Sequence, residues 1–188
     1  MENKERFLDI ANGIKRPGIE GLMQWLENSD FYTAPASSRF HGAYSGGLLE
    51  HSLHVYDELI RLLKAYPEVP CNMETAAIIA LFHDVCKVNM YVVEQRNRKN
   101  EQGQWEKYDA YMVQEKFKFG GHGSKSVFLL QNFIRLTPEE AVAINCHMGA
   151  FQDDHVGQCF EQWNLAFLLH VADGAATYII ESNNDGGR

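Results

Sequence analysis

The sequence predicts an all-α domain, a helical bundle that carries one β-hairpin, and three features indicate this fold. Apolar residues recur at spacings of three and four over residues 46–65, and the segment TAAIIALF at 75–82 is apolar almost all round. Over residues 89–119 the pattern changes, because aromatic and β-branched residues there flank a polar tip, RNRKNEQGQ. The first two patterns predict an amphipathic and a buried helix, and the third is typical of two strands joined by a turn.

Size and composition fit a single domain over residues 1–188, with its core at about 46–180. Hydrophobic residues make up 45% of the chain, which is enough to form a core. The net charge of −8 argues against a protein that binds nucleic acid mainly through its phosphates. The cysteines form no CxxC pair, and no apolar stretch is long enough to span a bilayer. We therefore expect a cytoplasmic protein with reduced thiols.

The longest helix should begin near Gly46 and run to about Ala65, where a Tyr-Pro pair ends it. His51 lies at the edge of its apolar stripe, so the ring can reach the interior. Thr137 should cap a later helix, with Glu140 completing a capping box. The other predicted helices cover residues 19–28, 75–82, 123–134, 138–146 and 161–180.

Four ionisable residues stand in these apolar segments, where an unpaired charge is costly to bury. His83 and Asp84 follow the apolar run at 75–82, and Asp173 interrupts AFLLHVADGAATYII. Together with His51, they are most simply explained by one shared metal ion, and imidazole with carboxylate suits Zn, Mn, Fe or Ni better than calcium. Each residue taken singly is more often a hydrogen-bonded core residue, so the residues alone leave both interpretations open.

The order His51, His83-Asp84, Asp173 resembles the H…HD…D pattern of the HD-domain superfamily of metal-dependent phosphohydrolases, whose fold is all helical. The local contexts GGLLEHS, LFHDVCK and LLHVADG agree with this resemblance. They are most similar to the HD module of bacterial 3′-to-5′ exoribonucleases and to small stand-alone HD hydrolases. Those exoribonucleases carry an additional OB-type domain, and only 45 residues precede Gly46 here, so processive RNA degradation is not expected. The hairpin at 89–119 is interpreted as an insertion, in place of a short helical connection.

The resemblance implies that the same four residues bind a metal ion, which activates a water for attack on phosphorus. Asp84 would also orient or deprotonate that water, while Lys87 and His54 would balance the charge of the phosphoryl group. Lys87 is equally well explained as a partner of Asp84 or Glu50. His54 and His41 either face the same cleft or are solvated.

Two further histidines, His122 and His147, stand between the HD pair and the final aspartate, as they do in two-metal HD enzymes. The resemblance therefore implies that they line the cleft and can hold a second ion. The alternatives are that His122 caps its helix or binds phosphate, and that His147 makes a hydrogen bond in the core. The expected cofactor is one divalent ion of Mn, Fe, Ni, Zn, Co or Mg, with the second ion as an extension.

A nucleotide or another phosphorylated small molecule is the expected substrate, and a short single-stranded oligonucleotide is a further candidate. The hairpin follows the HD pair directly, so its base should lie near the metal, and we expect Arg96, Arg98 and Lys99 at its tip to bind substrate. A solvated charged face is the alternative. Two other functions stay open, a non-catalytic nucleotide-binding HD module and a di-iron HD oxygenase. The sequence does not decide whether the protein is an oligomer.

Overall fold

The computed structural model of the protein describes residues 2–151 and 156–183, most of which are helical. The α-helices of these ranges are α1 (Glu2–Ala11), α2 (Ile19–Glu27), α3 (Gly47–Ala65), α4 (Met73–Phe82), α5 (His122–Leu130), α6 (Pro138–Cys146), α7 (Val156–Gln162) and α8 (Asn164–Ala175). The two strands are β1 (Tyr91–Lys99) and β2 (Trp105–Val113). Short 3-10 turns cover Val85–Lys87, Gly149–Phe151 and Glu181–Asn183, and a π-helical turn covers Ala176–Ile180.

The mostly helical fold with one hairpin is confirmed, and the helices differ from prediction in three places. The helix predicted over 123–134 was too long, since α5 ends at Leu130 and turns follow it. Helix α1 was not predicted, because its charged residues mask a narrow apolar face on which Phe7 and Ala11 are buried. The helix predicted over 161–180 was wrong as one continuous helix, since α7 and α8 are separated at Trp163 and α8 ends in the π-helical turn. That the hairpin is an insertion stays a prediction.

The hydrophobic core is centred on α4, in which every residue from Thr75 to Phe82 is buried. A stripe of α3 packs on one side of it, and α6 and α8 close the bundle. The ring of Phe7 from α1 contacts Phe31 and Phe82, with centroids 5.1 and 6.0 Å away. Burial of each side chain of this size contributes roughly 1.5–3 kcal/mol to the free energy of unfolding. This packing fixes the positions of the helix ends that carry the polar residues.

Two glycines allow the close contacts that bring the polar residues of different elements together. A Cβ on Gly47, the first residue of α3, would lie 2.0 Å from the carbonyl oxygen of Gly42, so the preceding loop can lie directly on this helix. A Cβ on Gly123 would lie 2.3 Å from the carbonyl oxygen of Asn145. The start of α5 therefore lies against the end of α6.

Strands β1 and β2 pair antiparallel, in a register that runs from Tyr91 opposite Val113 to Lys99 opposite Trp105. The amide of Gln114 donates to the carbonyl of Met90 at 2.9 Å, which extends the pairing to the base of the hairpin. The base thus follows within a few residues of the turn that carries Lys87. Among the described residues, none of the helices is both long and apolar enough to cross a membrane.

Candidate metal centre

The centre lies where the ends or edges of four helices meet. Helix α3 contributes His51, the end of α4 contributes His83 and Asp84, α6 is followed by His147, and α8 contributes Asp173. The three histidines and Asp84 are buried, and Asp173 keeps 16% of its side chain exposed. The four residues predicted from the H…HD…D pattern are therefore brought together, and His147 joins them.

His83 and His147 occupy equivalent positions, each at the C-cap of its helix. The Nδ1–H of His83 donates to the carbonyl of Ala80 at 2.8 Å, and that of His147 donates to the carbonyl of Ile144 at 2.6 Å. The last carbonyls of a helix have no partner within the helix, so they are available for this contact. Because Nδ1 of each ring is held by a backbone carbonyl, Nε2 is the ring atom that faces the carboxylates of the centre and can bind a cation.

Asp84 presents its two oxygens to different histidines. Its Oδ2 lies 2.6 Å from Lys87 Nζ, 3.5 Å from His83 Nε2 and 3.9 Å from His51 Nε2. Its Oδ1 lies 3.5 Å from the Nε2 of His147. The carboxylate can therefore be shared between two neighbouring cations.

The donor set fits a divalent metal ion. The Nε2 atoms of His51, His83 and His147 are buried without a hydrogen-bond partner. Donor atoms of His51, His83 and Asp84 lie within 4.8 Å of one another, and so do those of His83, His147 and Asp173. Buried polar atoms of proteins are normally paired, so several unpaired nitrogens aimed at carboxylates indicate a cation-binding site.

The charge states of these residues suit metal binding. Burial lowers the pKa of His83 to about 4, so the ring is neutral at neutral pH. Burial opposes the negative charge of Asp84, but Lys87, His83 and His147 together outweigh it and hold the pKa of Asp84 well below its ordinary value. Burial likewise lowers the pKa of His51, yet Asp173 and Glu181 on either side raise it to about 10. A metal ion at His51 Nε2 would therefore displace a proton.

Glu181 is a member of this centre that sequence reasoning missed. Its Oε1 accepts hydrogen bonds from the Nδ1 of His51 at 2.9 Å and from the Nδ1 of His54 at 3.0 Å, and the residue is 4% exposed. Burial opposes its charge, but His51 and His54 lower the pKa of Glu181 to about 2. A carboxylate on the far nitrogen of a metal-binding histidine fixes the ring and raises its basicity.

His41 also faces the centre, which favours the first of its two interpretations. Its ring centroid lies 5.0 Å from that of His51, and its Nε2 is buried without a partner. Burial lowers the pKa of His41 to about 4. His54 is half-buried with its Nδ1 on Glu181. Lys87 is paired with Asp84 rather than with Glu50. Phosphoryl contacts of Lys87 and His54 stay a prediction.

A second group of donors lies on the Oδ1 side of Asp84. Donor atoms of Asp84, Cys86 and His122 lie within 4.8 Å of one another, and the Nδ1 of His122 is buried without a partner. Gly121 caps α5, and the side chain of Ser124 makes the capping contacts. The ring of His122 therefore does not cap the helix. It lines a cavity of about 280 Å³, which Cys86 also lines.

The hairpin residues predicted to bind substrate lie on both faces of the hairpin. Arg96 and Arg98 line a groove of about 790 Å³, together with Arg39 from the loop that carries His41. Side chains alternate between the two faces of a strand, so Lys99 belongs to the other face, where its Nζ lies over the ring of Trp105. Substrate binding by these residues stays a prediction.

The fold and the site together define a helical protein with a buried histidine–carboxylate cluster that could hold a metal ion. The HD domain family model matches residues 48–174, and the chain belongs to that family. Over 123 residues it is 31% identical to the dihydroneopterin 2′,3′-cyclic phosphate phosphodiesterase of Methanocaldococcus jannaschii. The match covers 57% of this chain and 47% of that protein, so the chain spans about half the length of this relative. No solved structure matches the chain.

Proposed function

We propose that the chain is a divalent-metal-dependent phosphohydrolase that hydrolyses a phosphate ester of a nucleotide-like small molecule. The observation that carries the proposal is the convergence of three buried imidazole nitrogens without hydrogen-bond partners on Asp84 and Asp173. Membership of the HD domain family and similarity to a cyclic phosphate phosphodiesterase support the same reaction class.

His51, His83, Asp84 and Asp173 would hold the first metal ion. His122 and His147 would hold a second ion, with Asp84 shared between the two. Bound divalent ions supply the Lewis acidity that lowers the pKa of water and neutralises charge on phosphoryl oxygens. Manganese, iron, nickel, zinc, cobalt and magnesium are the candidates.

The protein groups around the centre have separate tasks in this proposal. Lys87 keeps Asp84 ionised, so that this carboxylate can accept a hydrogen bond from the attacking water and orient it. The Lys87 ammonium has three donors, and those not used by Asp84 are free for a phosphoryl oxygen. His54, with its Nδ1 held by Glu181, can donate from Nε2 to the substrate in its charged form.

The substrate would extend from the centre toward the groove beside the hairpin. Arg96 and Arg98 supply positive charge there, and the loop with Arg39 joins the groove to His41 beside the centre. Such a surface attracts anions such as a further phosphate or a short single-stranded oligonucleotide. Lys99 would contribute from the neighbouring face.

A substrate panel tests the proposal. Metal-free protein is reloaded with each candidate ion and given nucleoside monophosphates, 2′,3′-cyclic and 3′,5′-cyclic nucleotides, and short oligonucleotides. Reaction in ¹⁸O-labelled water should place the label on the product phosphate, with Asp84→Ala as the inactive control. No hydrolysis with any ion would favour a non-catalytic nucleotide-binding module. Oxygen consumption by an iron-loaded, coloured protein would favour a di-iron oxygenase.

Metal stoichiometry tests the second ion. We expect two ions per chain under saturating Mn²⁺, falling to one in the double variant His122→Ala, His147→Ala. One ion in both proteins would leave these histidines as substrate contacts.

A further inference from the structure

Cys86 is a buried thiol that directly adjoins the carboxylate of the metal centre. It is 2% exposed, and its Sγ lies 3.9 Å from Asp84 Oδ1, the oxygen that faces away from His51 and His83. A cysteine that serves only to fill space is normally surrounded by apolar atoms. Cys86 instead lines the cavity that His122 also lines.

The backbone holds Cys86 toward α5, the helix that begins with His122. The amide of Cys86 donates to Ser126 Oγ at 3.1 Å, and Ser126 is fully buried. Ser126 follows His122 by four residues, so both lie on the same face of α5. The contact with Ser126 therefore keeps the thiol on the side of α5 from which His122 projects.

The donor geometry is close to that of a coordinated cation. In a tetrahedral zinc site, Zn–S of about 2.3 Å and Zn–O of about 2.0 Å place sulfur and oxygen about 3.5 Å apart. The Sγ to Oδ1 distance of 3.9 Å exceeds this by a few tenths of an ångström, which a small side-chain rotation closes. His147 Nε2, fully buried and unpaired, lies 3.5 Å from the same Oδ1.

We propose that Cys86 is a thiolate ligand of the second metal ion, beside Asp84 Oδ1, His122 and His147. This inference rests on the proposed function, which supplies the second ion, but that function does not require the sulfur. A thiolate makes the second position selective for zinc, iron or cobalt over magnesium, because soft sulfur binds hard magnesium poorly.

Coordination replaces the thiol proton by the metal, and the proton leaves to solvent through the cavity. No electron is transferred, so the step needs no oxidant. Burial and the neighbouring Asp84 carboxylate raise the pKa of the Cys86 thiol to about 12, so the sulfur keeps its proton until the metal ion displaces it.

Cobalt titration of metal-free protein tests the proposal without measuring activity. Co²⁺ bound to thiolate gives a sulfur-to-metal charge-transfer band in the near ultraviolet, whereas visible d–d bands report all bound Co²⁺. We expect the charge-transfer band to grow with the second equivalent. In Cys86→Ser it should be absent while the first equivalent still binds, and the second should bind at least about tenfold more weakly. Cys146→Ser is the matched control, because Cys146 is also 2% exposed and lies outside the donor groups.

The possible failures are distinguishable. Two Co²⁺ per chain without the band, or with a band that persists in Cys86→Ser, overturns the sulfur ligand and leaves the proposed function intact. Failure to bind a second Co²⁺ in the parent overturns both the sulfur ligand and the two-ion site. If Cys86→Ser does not fold, X-ray absorption of the parent loaded with two zinc ions decides. A sulfur shell at about 2.3 Å supports the proposal, and a spectrum with only nitrogen and oxygen neighbours contradicts it.

Discussion

Two of the clusters of buried ionisable side chains among the described residues differ in kind, the candidate metal centre around Asp84 and an ion-pair cluster around Glu140. Glu140 is fully buried, and Arg16 donates to both of its oxygens at 2.9 Å. Thr75 donates to one of these oxygens and the amide of Thr137 to the other, at 2.9 and 2.8 Å. In the metal centre, by contrast, the Nε2 atoms of the buried histidines have no hydrogen-bond partner.

This difference separates a structural cluster from a functional one. The Glu140 cluster joins the segment after α1 to the starts of α4 and α6, and each carboxylate oxygen has partners, so nothing further is required of it. The metal centre is equally buried, but several of its donors converge without partners. Burial of charge alone therefore does not identify a site, whereas the unpaired donors do.

The largest expected effect is that of Asp84→Ala. Removing the carboxylate shared by both donor groups should abolish metal retention and, with it, hydrolysis. Loss of several kcal/mol of charge stabilisation corresponds to at least about a hundredfold fall in rate. Metal analysis and far-ultraviolet circular dichroism of the purified variant measure retention and helix content.

Glu140→Gln provides the comparison for Asp84→Ala, because it alters the other buried cluster and should leave metal content unchanged. Unchanged metal content in Asp84→Ala as well would make Asp84 a core residue and remove the distinction between the two clusters.

The free energy of unfolding should depend mainly on the Glu140 cluster, so Glu140→Gln should destabilise the metal-free protein more than Asp84→Ala does. Breaking a buried ion pair costs about 3–5 kcal/mol, and we expect the lower end for Glu140→Gln because Arg16 is partly exposed. Urea unfolding of metal-free protein measures the loss. Glu27→Gln, which breaks the exposed pair with Lys4, should cost no more than about 1 kcal/mol. Equal losses in the two variants would show that the Glu140 cluster is no more than a surface ion pair.

The ion pair between Arg16 and Glu140 also predicts how the free energy of unfolding depends on pH. Burial opposes the charge of Glu140, but Arg16 and the hydrogen bonds from Thr137 and Thr75 together outweigh it and lower the pKa of Glu140 below its ordinary value. The stability difference between parent and Glu140→Gln should be fully present above pH about 4.3, the pKa of an unfolded glutamate. It should decline as pH falls through the lower folded-state pKa. A difference that grows on acidification would contradict the assignment.

Glu181 tests whether a carboxylate that holds the far nitrogen of His51 strengthens metal binding at the centre. Glu181→Gln removes the charge that holds His51 and His54, and loss of such an outer partner typically weakens metal binding by about 10–100-fold. Calorimetric titration with Mn²⁺ measures the affinity. Glu27→Gln is the control, because Glu27 pairs with Lys4 at the surface and lies outside the donor groups. The same loss in both variants would show an effect of net charge instead of ring positioning.

The contrast between Glu181 and the HD residues shows how far the sequence could predict this site. His83, Asp84 and Asp173 interrupt apolar segments, and the sequence alone shows that interruption. Glu181 begins a polar stretch, and its contact with His51 depends on the π-helical turn at Ala176–Ile180, which shifts the helix register. Periodicity could not predict that shift.

The fold shows the same limit. Helices α3 and α4 were predictable, because the apolar stripe of α3 repeats with the helical period and α4 is an apolar segment buried on all sides. Helix α1 was not, since only a few of its residues are buried. Cys86 was counted only as part of an irregular cysteine pattern, because its proximity to His122 arises from the packing of α5 against the turn at Val85–Lys87.

The smallest expected effect lies at the hairpin, where charges are exposed. Arg96→Ala with Arg98→Ala removes the two arginines that line the groove, and exposed charges contribute about 0.2–1 kcal/mol each. We expect KM to rise roughly fivefold with little change in kcat, as when ground-state and transition-state binding are lost equally. Steady-state kinetics with the best substrate of the panel measure both constants.

Lys107→Ala removes an exposed charge from the other face of β2 and controls for net charge, while Lys99→Ala reports whether that face also contributes. Unchanged KM in the double variant would make the hairpin tip a solvated surface, and a matching fall in kcat would instead place the arginines in contact with the reacting phosphate.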